Sequence, residues 1–386
     1  MNRKKKIYQV ASPYFAKNDI NWINKRVTKI LKGRLSTGPF TKEFEKNFAD
    51  FIGTKYAVFL NSCTSALEIS IKYLNLKNND EVIVPVQSFI ADGMCVTSQG
   101  GKVVFAEIDQ KNFCLNLKEI KRLYSSKTKA VIMVYFGGYL PKNIFEIRDF
   151  CKKKKILLIE DCAHAVGSEH IKKKAGSIGD TGCFSFFSTK TITTGEGGML
   201  TTNNKKLFEL ALSLRERGRD WTKKNMELYK HDWRTCRVPE FSALLGINQF
   251  SKINAINAHR NKIVKIYNNS LKKIPWFNIL DSYKNQKLSI WKHVTIITNP
   301  KLNRKILQKK LYSDYGININ WAYDPPLHLQ PIYKKLLGSK SVKLKNTEQL
   351  MSRHFHLPLH MMIKPKDANY IVKSLIDCSK KILKII

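Results

Sequence analysis

From Phe40 to Thr202 the chain alternates short, largely apolar runs with stretches of helical periodicity, a rhythm few architectures can use. The apolar runs are Glu81–Pro85, Lys102–Ile108, Ala130–Phe136 and Ile156–Ile159. A strand wetted on one face would alternate polar and apolar residues. Runs apolar throughout suit strands covered on both faces, as in a mainly parallel sheet. Between them lie helical candidates at Thr64–Leu74, Leu117–Tyr124 and Asn143–Lys153. Thr181–Phe187 and Gly198–Thr202 add two strands, separated by a loop rich in glycine and threonine. After Asn203 the pattern is helical, through Leu207–Arg217 and then a long stretch from Pro239 to Lys272. A mixed α+β region follows, punctuated by Asp324-Pro-Pro and Leu357-Pro-Leu. The expectation is an α/β protein with a mainly parallel central sheet and a smaller α+β C-terminal domain. We expect residues 1–35 to pack with the small domain, 36–254 to form the large domain and 255–386 the small one. The helix near Asp19–Leu31 belongs to the first of these.

With 386 residues the chain can bury a substantial core, and no apolar run approaches the roughly 20 residues that cross a bilayer. The basic start, Met1–Lys6, is not followed by the apolar segment of a secretory signal, so a cytoplasmic protein that does not enter a membrane is expected. Cys63, Cys95, Cys114, Cys151, Cys162, Cys183, Cys236 and Cys378 form no C-x-x-C pair. Their scatter fits neither a metal site nor a disulfide framework, and we read them as reduced thiols. The net charge of +38 has two readings. One is an anionic partner; the other is a lysine-rich composition spread over solvated surface. The basic runs Arg3–Lys6, Lys152–Lys155 and Lys172–Lys174 lie far apart, with no aromatic RNA-binding segment among them. That favours the second reading and disfavours nucleic acid as a partner.

Three segments carry chemistry. In Ser185-Phe-Phe-Ser-Thr-Lys190, followed by a loop ending Gly195-Glu-Gly-Gly198, a lysine sits just past a buried strand among hydroxyls. Partial desolvation disfavours an ammonium and leaves a nucleophilic amine suited to an aldehyde. Taken alone, Lys190 reads better as a surface lysine in a glycine loop, since lysines are plentiful here. In Ile159-Glu-Asp161-Cys-Ala-His164, Asp161 follows an apolar strand at the carboxyl edge, where α/β sheets place ligands. A carboxylate there needs a cationic partner, and a protonated pyridine nitrogen is one; a helix-capping role fits the segment equally well. In Asn61-Ser-Cys63-Thr64-Ser65, small and hydroxyl residues precede a helical pattern, which makes either an anion site or a plain cap. Phe89, leaving the strand that ends at Pro85, is placed either to stack on a planar ring or to fill core.

Together these segments resemble the DegT/DnrJ/EryC1/StrS family of sugar aminotransferases. The likeness runs from Thr37 to the C-terminus and takes in, in order, Ser36-Thr-Gly-Pro, Cys63-Thr64, Phe89, Glu160–His164 and Gly176-Ser-Ile-Gly-Asp180. It continues through Ser185–Lys190, Gly195–Gly198, Arg237–Gly246, Pro326–Gln330 and Leu357–His360. The resemblance implies a type I fold for enzymes dependent on pyridoxal 5'-phosphate (PLP), and a homodimer whose active sites are shared between subunits. By resemblance, Lys190 carries PLP as a Schiff base and moves the proton, Asp161 pairs with the pyridine nitrogen, and His164 sits by the ring hydroxyl. Phe89 stacks on the ring, while Cys63, Thr64 and Ser185 hold the phosphate. Tyr323, His328 and His360 are candidates for the substrate region, each as well read as a structural polar group. The chain departs from the family where relatives usually have glycine at Cys63, commonly asparagine at Thr235, and often a polar side chain at Gly138.

The implied reaction is transfer of an amino group from glutamate or glutamine to a keto group of a nucleotide-linked deoxysugar, for amino-sugar or surface-polysaccharide synthesis. Two alternatives stand beside it. A sugar dehydratase of the same family would carry histidine where Lys190 stands. A basic binding protein that kept the fold without the chemistry would have no use for the Lys190–Asp161 pair.

Overall fold

The computed structural model describes residues 6–222, 226–280, 282–338 and 342–385, so most of the basic run Arg3–Lys6 lies outside it. Its centre is a seven-stranded sheet. The strands are Tyr56–Leu60 (β1), Glu81–Pro85 (β2), Lys102–Ala106 (β3), Thr128–Val134 (β4), Leu157–Asp161 (β5), Thr181–Ser185 (β6) and Gly198–Thr202 (β7). Their order is β1-β7-β6-β5-β4-β2-β3, and all but β7 run in one direction. The expected mainly parallel sheet is therefore present.

Strands covered on both faces divide their side chains between two cores, because successive residues point to opposite sides. In β4, Val131 and Met133 enter a core with Phe44, Phe48 and Phe184. Ala130, Ile132 and Val134 enter a second core with Leu67, Ile69 and Leu200. Some of the helices that cover these faces begin on side-chain caps, which satisfy amides the helix itself leaves free. Asn116 caps Leu117–Leu123, and Asn204 caps Lys205–Arg215.

A third core, around Tyr267, Phe355 and Leu375, is built on a three-stranded antiparallel sheet. Its strands are Phe277–Ile279 (β8), His293–Ile297 (β9) and His354–Leu357 (β10), in the order β8-β9-β10. The N-terminal helix Lys17–Leu31 lies against Glu240–Phe250, whereas the residues before it reach the third core, where Tyr8 bridges to Ile317. The long helical stretch from Pro239 is two helices, Glu240–Phe250 and Ile253–Leu271. The break falls at Ser251, whose hydroxyl donates back to the Asn248 carbonyl at 2.9 Å.

Two segments far apart in sequence are joined by one carboxylate. Glu240 accepts from the N–H groups of Gly38, Phe40 and Thr41 at 2.8, 2.8 and 2.9 Å, and from the Thr41 hydroxyl. It thereby caps the helix Pro39–Ile52, whose own cap residue, Gly38, has no side chain to do so. Among the described residues no helix is long and apolar enough to cross a membrane. No group of histidine, cysteine and acidic residues among them is placed to hold a metal, and all eight cysteines are free.

Candidate active site

The carboxyl ends of β1, β2, β5 and β6 open onto one cleft of about 500 Å³, with Ser62, Thr64, Phe89, Asp161, Ser185 and Lys190 on its walls. Segments more than a hundred residues apart meet there because their strands end at the same edge of the sheet.

Lys190 lies in the loop after β6. A bridge between Phe187 and Gly195 closes that loop, and the Trp291 indole N–H donates to the Thr189 carbonyl at 2.6 Å. The Lys190 ammonium stands 4.2 Å from the centre of the Trp291 ring. The residue keeps some exposed surface, yet its amine is enclosed by protein. Burial lowers its pKa from 10.5 to about 8, against the opposing pull of Asp161.

Asp161 ends β5 and is buried. Its Oδ1 accepts from the Ala163 N–H at 2.8 Å, with the Cys63 thiol at 3.9 Å. Burial pushes its pKa up, and those hydrogen bonds and the Lys190 charge pull it back. Three residues on, His164 stacks on Trp291 with ring centres 3.9 Å apart. Its Nδ1 accepts from the Gly137 N–H at 3.2 Å, and its Nε2 lies 3.2 Å from the Tyr323 hydroxyl. Burial, with Lys190 and Lys292 nearby, holds the imidazole neutral. With Nδ1 accepting, the hydrogen sits on Nε2 and is donated to Tyr323, which frees the Tyr323 O–H to donate into the cleft.

An anion cup forms at the other end. Helix Cys63–Lys72 starts on the cleft wall, capped by Ser62, whose hydroxyl accepts from the Ser65 N–H at 3.1 Å. The first amides of a helix have no partner within it, and the helix dipole favours negative charge there. Ser185 faces this cup from β6 in register with Gly198, which also pairs with Leu60. A side chain at Gly198 would put its Cβ 2.3 Å from the Ser62 carbonyl carbon, so glycine lets the cup sit against β7.

The structure thus brings Cys63, Thr64, Phe89, Asp161, Ser185, Lys190 and Tyr323 to one cleft, with His164 behind Tyr323. His360 lines an adjoining cavity of about 300 Å³ on the far side of Lys190, where its Nε2 lies 3.1 Å from the Gln9 carbonyl. His328 lies on neither wall. Its Nε2 pairs with Glu348 at 2.9 Å, which holds the ring against Phe105 and away from the cleft. Gly138 has φ +101°, and a Cβ there would lie 2.0 Å from the Ser289 carbonyl oxygen, so this backbone admits no side chain. Thr235 is exposed, on a strand-like bridge to Glu216.

The description "DegT/DnrJ/EryC1/StrS aminotransferase family" matches residues 18–376, nearly the whole chain. The chain belongs to this family. It is accordingly a PLP-dependent aminotransferase with the type I fold. It is 31% identical over 369 residues to a Campylobacter jejuni enzyme named UDP-4-amino-4,6-dideoxy-N-acetyl-beta-L-altrosamine transaminase, covering 93% of this chain and 95% of that one. It is 30% identical over 348 residues to GDP-perosamine synthase of Vibrio cholerae, covering 89% and 91%. Among solved structures, Helicobacter pylori PseC, an aminotransferase in the biosynthesis of pseudoaminic acid, superposes with a TM-score of 0.89 at 25% identity. That match covers 97% of this chain and all of that one.

Three residues of the aminotransferase site escaped the sequence reading. Trp291 precedes β9 and comes to Lys190 only through the fold. Lys292 is buried beside it, its pKa lowered to about 7 by burial and by Arg260 and Lys190. Asp92 sits behind Asp161 on the helix Ile90–Thr97, where one acidic residue in a short segment gives no signal.

Proposed function

We propose that this aminotransferase carries PLP on Lys190 and moves an amino group from glutamate or glutamine to the keto carbon of a nucleotide-linked deoxysugar. The observation that carries the reading is the pairing, in one cleft, of an enclosed lysine with a lowered pKa and a buried carboxylate that has no cationic hydrogen-bond partner of its own. Relatives named for UDP- and GDP-linked amino sugars support the substrate class. A Bacillus subtilis relative named as a spore coat polysaccharide biosynthesis protein, 29% identical over 380 residues, supports a role in surface-glycan synthesis.

The residues present fit the cofactor. Asp161 is a buried anion facing the cleft, as a protonated ring nitrogen requires. The start of helix Cys63–Lys72, with Thr64 and Ser185, makes a cup for the phosphate. Phe89 on the cleft wall would pack on the ring, and the Tyr323 hydroxyl, oriented by His164, would be free to donate to the ring's phenolic oxygen. When bound, PLP supplies an aldehyde for the amine and a ring that draws off negative charge beside the transferred nitrogen. Lys190 would then serve as the acid and base of both half-reactions, taking a proton at Nζ and returning it to the carbon on the other side of the transferred nitrogen. A pKa of about 8 lets that amine do both near neutral pH.

The enzyme works as a homodimer in the cytoplasm. The aromatic side chains of Phe89 and Phe187 stand exposed at the cleft mouth, as expected of a site that a second subunit completes. Eight unpaired thiols fit a reducing compartment.

The test is the visible spectrum of purified protein with PLP, before and after glutamate, beside Lys190→Ala. Yellow colour that bleaches with glutamate and is missing in the variant supports the reading, and a keto-sugar screen then finds the acceptor. Wild type that takes up no PLP, or a variant that colours equally, refutes it.

A further inference from the structure

Asp92 has no exposed surface, although it lies in the first turn of a helix. The Ser88 hydroxyl donates to its Oδ2, whereas its Oδ1 meets no N–H or hydroxyl donor. The carboxyl lies within hydrogen-bonding reach of Asp161. Two carboxylates in contact, away from water, do not both stay ionised; the pair holds one proton between them. The fixed donors decide which oxygen carries it. Asp161 already accepts from the Ala163 N–H and feels the Lys190 charge, and both stabilise its anion. Asp92 has only the neutral Ser88 hydroxyl, and burial beside Asp161 pushes its pKa well up. Protonated, the otherwise orphaned Oδ1 would be a donor, and the neighbouring Asp161 carboxylate an acceptor for it.

We propose that Asp92 is a positioning residue for the cofactor: as a neutral acid it donates from Oδ1 to Asp161 and keeps that carboxylate ionised and turned toward the ring nitrogen. The inference rests on the reading of Asp161 given above. An anion that accepts a further hydrogen bond is a weaker base, so the proton it faces stays on the ring nitrogen and does not pass to Asp161. Without Asp92 the buried ion pair loses that support and relaxes toward two neutral groups, which draws less charge from the substrate.

The test uses the PLP-loaded enzyme with ¹⁵N in the pyridine ring, comparing wild type, Asp92→Val, Asp92→Asn and Asp161→Ala. In Asp92→Val the nitrogen resonance is expected to move toward the unprotonated position, with kcat for the glutamate half-reaction falling about 10–100-fold, as when an orienting partner is lost. KM for glutamate is expected to stay nearly constant. Asp92→Asn keeps an N–H donor and should recover the larger part of both losses. An Asp92→Val spectrum like wild type, while Asp161→Ala shifts it, overturns this inference and leaves the Asp161 reading standing. If Asp161→Ala is also silent, the reading of Asp161 fails first. Should Asp92→Val not fold, difference infrared spectra of wild type and Asp92→Asn decide. Loss of a protonated-carboxyl band supports the proposal, and loss of a carboxylate band overturns it.

Discussion

Lys190 should be much more reactive at neutral pH than the lysines around it, and the size of the effect follows from its surroundings. A solvated lysine has a pKa near 10.5, and burial brings Lys190 to about 8. Below both values the neutral fraction differs by the gap, about 2.5 units or roughly 300-fold. A less basic amine is also a weaker nucleophile. If amines follow the slope seen for thiolates, that returns about one order of magnitude, leaving an advantage of roughly 20–30-fold. The sign with pH is fixed: deprotonation creates the nucleophile, so the rate at Lys190 climbs about tenfold per unit to pH 8 and then levels. Ordinary lysines keep climbing through the same range.

Competitive reductive methylation of apoprotein with limiting formaldehyde, read peptide by peptide by mass spectrometry from pH 6 to 9, measures this directly. Lys292 is an internal control. Its pKa is lower still, at about 7, but its side chain is buried and lines neither cavity beside Lys190, so it should react slowly. A Lys190 peptide labelled no faster than surface lysines at pH 7, with a rate still rising tenfold between pH 8 and 9, would refute the argument.

Two further perturbations test the framework. Glu240→Ala removes the acceptor from three backbone N–H groups and should destabilise the protein by about 3 kcal/mol, with Glu240→Gln about half as damaging. A urea midpoint in the alanine variant equal to wild type would contradict this. Gly198→Ala forces its new Cβ into the Ser62–Cys63 backbone, so PLP affinity, followed by visible absorbance, should fall about tenfold or more as the anion cup is displaced. Unchanged affinity in a folded variant would remove the cup from its assigned place.

What the sequence disclosed and what it hid divide by separation along the chain. Lys190, Asp161, Cys63-Thr64 and Phe89 each close or follow an apolar strand, so a reader who finds the strands finds their carboxyl ends. Glu240 and Trp291 act at a distance. The first caps a helix by bonding to Phe40, 200 positions away, and the second holds Thr189 across 102. No local pattern announces such partners, because only the closed fold creates them. For His328 the sequence leaves two readings, substrate region or structural polar group, and the contact with Glu348, 20 residues on, favours the second. Gly138 stands where relatives often carry a polar side chain, yet its positive φ and the Ser289 carbonyl in front of it make glycine a backbone requirement here.

The buried acids explain how so basic a chain builds an anionic site. The chain has 68 basic residues against 30 acidic ones, and surface ion pairs such as Lys205–Glu209 and Lys381–Asp377 follow from that excess. Two consecutive buried carboxylates on β5 take backbone N–H groups instead. Glu160 accepts from Gly176, Ile178 and Gly179 at 3.0, 2.9 and 2.6 Å, and from the Tyr135 hydroxyl at 2.7 Å. Its neighbour Asp161 accepts from Ala163. Consecutive strand residues point to opposite faces. Glu160 therefore anchors the Gly176–Gly179 loop on one side of β5, while Asp161 faces the cleft on the other. An N–H fixed in the backbone sets an anion's position without the entropy of ordering a long cationic side chain. It also leaves the anion's charge unpaired, so that Asp161 faces the cleft with no cationic hydrogen-bond partner, as the proposed contact with a protonated ring nitrogen requires.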